Sequence, residues 1–247
     1  MNKKCMIKIF YYELKRMLRN KLFFGMLVVN GLFAWFTLSF DIIMGTACTA
    51  PFSVWSYCVY LGRTLPLVMI TVLLLLANYY SRKQKQAEVL TSATPISSFS
   101  QIVIRTLAAG ICFLLIALVV IVLALLFYVS FFRFHDFAAY ILPSVLLLLP
   151  CFVLFASLGQ LLGSIHRSLV YVLILLIFAI RIMLGAFDFF GAGYFSTVPL
   201  TLPVGVDGEP AFQISVAFVA ARVLYLVLGI VCIDLTMILS ARKSQKA

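Results

Sequence analysis

Four ionisable side chains stand inside long apolar stretches of this 247-residue chain: Arg63, Arg181, Arg222 and Asp234. A charge at mid-span costs about 2.5–3.5 kcal/mol on insertion scales, so each needs a partner, a water-filled path or a route out to the headgroups. For the three arginines the available chemistry is electrostatic. Lying at similar depth, they would line a substrate path that attracts an anionic or amphipathic solute. The bland alternative is structural: each guanidinium snorkels outward or pairs with a carboxylate, Asp41 and Asp188 being the candidates. Asp188 follows Arg181 by seven positions and so shares nearly the same helix face. Asp234 lies toward the other end of its stretch, where a basic residue near the N-terminus could meet it.

Covalent and metal chemistry find no residues to use. There is no G-x-x-x-x-G-K-[ST] phosphate loop, no H-E-x-x-H and no G-x-S-x-G. The two histidines, His135 and His166, fall on opposite sides of the membrane in the topology derived below. The six cysteines are scattered, with no CxxC pair and no neighbouring histidine, so they read as small apolar residues rather than metal ligands. No catalytic residue, metal site or cofactor of its own is expected in this chain.

The elements that carry the arginines follow from composition. Apolar residues make up 64% and charged residues 11%, with a mean hydropathy of +1.15. A soluble domain has about 45–50% apolar and about 25% charged residues. A water-soluble enzyme and a disordered chain are both excluded. Six runs reach the roughly 20 residues that a span requires: Leu22 to Ile43, Val59 to Tyr80, Leu107 to Phe131, Ile141 to Gly163, Leu169 to Phe187 and Val216 to Ser240. They are apolar all round, which fits helices and excludes the alternating strands of a barrel. The first run is longer than a signal-peptide core, with no A-x-A-like site after it, and is expected to be a span.

The net charge of +11 is distributed as topology, not as a nucleic-acid surface. Lys3, Lys4, Lys8, Lys15, Arg16, Arg19, Lys21, Arg82, Lys83, Lys85, Arg105, Arg167, Arg242, Lys243 and Lys246 fall on one side of the six spans, and Arg133 alone on the other. The positive-inside rule makes the first side cytoplasmic, with both termini there, in a plasma membrane of the bacterial inner-membrane type. Arg63, Arg181 and Arg222 then lie in the outer half, roughly 5–12 Å from the edge at about 1.5 Å per residue.

Residues 1–21 form a cytoplasmic segment whose helix, over 5–21, places Ile7, Phe10, Tyr11, Leu14, Met17 and Leu18 on one face and Lys8, Lys15 and Arg19 opposite. Such a helix lies in the interface with its cations near anionic headgroups. Residues 22–240 form the transmembrane domain and 241–247 a cytoplasmic tail. The cytoplasmic loop 81–101 is longer than a connector needs. Its helix from Arg82 to Leu90 stops at Pro95, and Ser97 or Ser98 can cap the next. The outer segment 187–215 starts too apolar for a solvated loop and too rich in glycine for a span, which suits re-entrant or interfacial half-helices. Gly159 and Gly163 form a G-x-x-x-G read as packing.

The expected fold is therefore an all-α integral membrane protein: six transmembrane helices, an N-terminal interfacial amphipathic helix and a re-entrant outer segment before the last helix. This order resembles the permease subunits of type-2 ABC transporters. The loop between their second and third spans carries arginine, glutamate, leucine, a threonine-proline turn and then a basic residue, here Arg82, Glu88, Leu90, Thr94, Pro95, Ile96, Ser97 and Arg105. Gln86 and Ala87 stand where that family often has a glycine-threonine pair. The resemblance implies an exporter in which this loop is the coupling helix, seated on a separate ATP-binding subunit that holds ATP and Mg. It also implies a second permease copy or paralogue as partner, and a peptide, drug or other amphipathic substrate by analogy. Two other classes compete: a non-transporting structural or regulatory membrane protein, and an ion-driven secondary transporter. The latter usually has inverted repeats and midplane carboxylates, and neither is seen.

Overall fold

The computed structural model describes residues 3–80, 98–183, 188–205 and 209–244, all of them helix, turn or loop. The described elements are α1 (Lys3–Leu18), α2 (Lys21–Phe36), α3 (Val54–Tyr79), α4 (Ser98–Phe132), α5 (Ile141–Ile165), α6 (Arg167–Met183), a short α7 (Ala192–Thr197) and α8 (Val216–Ser244). α2 runs on into a π-helical turn, Thr37–Ile42. Single 3-10 turns, Ala138–Tyr140 and Val198–Thr201, precede α5 and follow α7.

Five stretches among the described residues are long and apolar enough to cross a membrane: Lys21–Ile42, Val54–Tyr79, Ile102–Phe132, Ala138–Ile165 and Val216–Ser240. The chain is a multi-pass, all-α helical membrane protein. The fifth of the six expected spans, Leu169 to Phe187, corresponds to α6, whose apolar part among the described residues is Arg167–Ala179. Arg181 interrupts the apolar run there, and residues 184–187 lie outside the described set.

Local sequence sets the helix starts. Asn20 caps α2 by accepting the Leu22 amide at 3.1 Å, and Ser53 caps α3 through the Ser56 amide at 3.1 Å. Ser215 does the same for α8 with the Phe218 amide at 3.2 Å. α1 divides its apolar face: Met17 is buried and Phe10, Leu14 and Leu18 pack on the core, while Ile7 and Tyr11 are exposed.

α3 is the central helix and touches α2, α4, α5, α6 and α7. Small and hydroxyl-bearing residues let neighbours approach it closely. Thr64 and Thr71 spend their hydroxyls on the carbonyls of Tyr60 at 3.1 Å and Leu67 at 2.8 Å. Asn30 of α2 donates to Thr71 Oγ1 at 2.8 Å. Gly62 meets the start of α7 so closely that a Cβ there would lie 2.7 Å from the Ala192 amide nitrogen. The short helix α7 is thereby packed against α3, while Leu200 and Val204 further along the segment are exposed.

Candidate functional site

The arginines of α3 and α8 have different surroundings. Arg63, about one turn on from Tyr60, reaches across to the π turn of α2, where its Nη1 lies 2.6 Å from Asp41 Oδ2. A π turn widens the helix locally and re-aims its side chains, and Asp41 sits within it. Both side chains remain partly open, 32% for Arg63 and 48% for Asp41.

Arg222 is only 2% exposed. Its Nη1 donates to the Phe189 carbonyl at 2.9 Å and lies 3.3 Å from Cys151 Sγ on α5. The guanidinium sits 4.5 Å from the Phe218 ring centre and 5.1 Å from that of Tyr225. Such stacking is worth about 2 kcal/mol when desolvated. Its Nε is buried without a hydrogen-bond partner among the described residues. The segment holding the Phe189 carbonyl is itself fastened: Asp188 Oδ1 accepts the Gly191 amide at 2.9 Å and Oδ2 accepts the Tyr194 amide. Gly191 has φ +93°, and a Cβ there would fall 3.0 Å from Arg222 Nη2, so glycine answers both the backbone and the guanidinium.

Arg63 and Arg222 therefore share no partner. One meets a carboxylate of α2; the other is enclosed by α5, α8 and residues 189–191. The side chain of Arg181, in the last turn of α6, lies outside the described residues. Asp234 is exposed on α8, and no described residue pairs with it. The principal neighbour of α8 is α5, not α1, so the basic face of α1 is not brought to Asp234.

The same end of the molecule is tied down by loop 45–53. Glu209 Oε1 accepts the Ala50 amide at 2.7 Å, and Trp55 Nε1 donates to the Pro210 carbonyl at 3.0 Å. Thr46, Thr49, Ser53 and Ser56 hydrogen-bond among themselves beneath it. The free cysteines Cys48, Cys58, Cys112, Cys151 and Cys232 form no metal cluster with other residues among those described.

At the opposite end, the Tyr79 ring lies between two guanidinium groups, that of Arg16 on α1 at 4.5 Å and that of Arg105 on α4 at 4.1 Å. Arg16 also holds Glu13 at 2.6 Å. Tyr80 covers Gly163 of α5 and donates to the Gln160 carbonyl at 3.3 Å, while Gln160 Nε2 donates to Thr106 Oγ1 at 2.9 Å. Helices α1, α3, α4 and α5 are thus joined where the chain enters and leaves loop 81–97. The loop residues singled out in the sequence, Arg82, Glu88, Leu90, Thr94, Pro95 and Ile96, lie outside the described residues. Sequence reasoning missed the Tyr79 contact, for which the adjacent pair Tyr79–Tyr80 at a helix end between basic segments was the available signal.

No family model, curated protein or solved structure matches this chain.

Proposed function

We propose that this chain is the membrane-spanning permease subunit of an ATP-driven type-2 ABC exporter. The observation that carries the reading is the joining of α1, α3 and α4 around Tyr79, at the two ends of loop 81–97. A push on that loop would reach three helices at once. The loop's order of Arg82, Glu88, Leu90, Thr94, Pro95 and Ile96 supports a coupling helix that seats on a separate ATP-binding subunit. ATP and Mg belong to that partner, and a second permease completes the path. In this reading α6 is the fifth of six spans, the outer segment 187–215 is re-entrant, and both termini are cytoplasmic. Arg63, partly open beside Asp41, and Arg181 are assigned to the path of an amphipathic peptide or drug. The sequence groups Arg222 with them, and its enclosure favours a pinning role for the outer segment instead.

Glu88→Lys tests the coupling assignment. The variant is expected to insert into the membrane normally and to lose recovery of the ATP-binding chain on affinity purification, together with transport. Undiminished recovery and transport would contradict it.

A further inference from the structure

Helices α4 and α5 part along their facing sides and leave two adjoining cavities. One, of about 420 Å³, is lined by Tyr57, Ile121, Leu125, Tyr140, Ser144 and Val145 among others. The next, of about 280 Å³, shares Ile121, Ser144 and Val145 and continues past Ala117 to Phe113 and Leu149. Together they make one groove along the helices. At the α4–α5 turn it ends under Phe137 and Tyr140, whose rings are 5.8 Å apart. At mid-helix it ends on Phe113, whose ring is stacked on that of Phe152 at 4.6 Å.

The walls select the occupant. Ser144 gives its single hydroxyl proton to the Tyr140 carbonyl at 2.7 Å, so the 2.7 Å contact with Tyr57 must be a bond donated by Tyr57. Tyr140 in turn donates to the Phe52 carbonyl. The lining hydroxyls have no proton left for a polar guest, and the remaining wall is hydrocarbon. The mouth is apolar too, since Leu118 and Val145 are both exposed. From Phe113 to Leu125 the groove follows α4 for about 18 Å at about 1.5 Å per residue, close to half the roughly 30 Å hydrocarbon thickness. Its depth is thus that of one leaflet.

We propose that this groove holds one acyl chain of a phospholipid from the leaflet at the α4–α5 turn, as a bound lipid and not as exchanging solvent. The proposal does not depend on the transport reading. The test uses the full chain in phosphatidylcholine vesicles doped with a phosphatidylcholine that carries a mid-chain diazirine. After irradiation, adducts are mapped by peptide mass spectrometry. Adducts at Ile121, Leu125 and Ser144 should exceed, several-fold, those at Leu175 and Leu228, which are exposed on α6 and α8. Val145→Trp, at the exposed mouth, should bring groove labelling down to that level without changing the melting temperature. Ala117→Phe, from the floor, should do the same. Equal labelling of groove and exposed faces in the parent chain would overturn the proposal, as would groove labelling that both fillers leave unchanged. Disulfide capture between two copies through Val145→Cys, with weak groove labelling, would instead give the groove to a second copy and also overturn it.

Discussion

Helices α3 and α8 look alike as sequence, with mean hydropathies of 2.0 and 2.5, each with a single arginine in its apolar run. Their settings are opposite. In α3, 83% of the span is buried, whereas in α8 the figure is 17%. The arginines invert this order: Arg63 on the buried helix is partly open, and Arg222 on the exposed helix is 2% accessible. Burial of a helix and burial of its charge are therefore separate matters. α8 leaves most of its surface exposed and spends one face on α5 and on the segment carrying Phe189. Arg222 lies on that face, where a backbone carbonyl and two rings replace the water it gives up. α3 is surrounded on all sides, yet Arg63 points toward the rim, where Asp41 can reach it from a π turn.

If this contrast is right, removing the two arginines has unequal consequences. Arg222→Ala should cost the most, about 3–5 kcal/mol, since it leaves a cavity and reduces the Phe189 carbonyl to the longer bond from the Tyr225 hydroxyl, 3.4 Å. The check is thermal unfolding of the purified protein; a loss below about 1 kcal/mol would mean that the outer segment is held without it. Gly62→Ala comes next. Its Cβ would press on the Ala192 backbone, which cannot swing away as a side-chain tip can. A loss of about 1–3 kcal/mol is expected, with faster proteolysis of segment 188–205. Unchanged protection of that segment would show that α7 does not rest on α3. Arg63→Gln should be mildest, at most about 1 kcal/mol, because the pair it breaks is partly open. An effect equal to that of Arg222→Ala would erase the distinction between the two helices.

The long helices were legible because unbroken apolar runs of 20 or more residues have few other solutions in lipid. Ranking them was not. Hydropathy measures how well a residue avoids water, and lipid and protein interior satisfy it equally, so nothing in those runs marked α3 as central. Its small and hydroxyl residues, Ser56, Gly62, Thr64 and Thr71, held that information in a weaker form. At the candidate site, Asp41 could be named as a partner for Arg63 because carboxylates are rare in such a chain. The partner of Arg222 could not, since a main-chain carbonyl has no residue type to announce it. The positive φ of Gly191 and the capping by Asp188 that present this carbonyl belong to the folded segment alone.

The central claim is that this chain works with an ATP-binding subunit through loop 81–97. Purification of the tagged full chain from its native membrane, with mass spectrometry of what remains bound and assay of ATP hydrolysis, tests it most directly. The account predicts an ATP-binding chain in stoichiometric amount, an ATPase activity that follows it through purification, and loss of both with Glu88→Lys. A chain that purifies intact without any such subunit and without ATPase activity would contradict it.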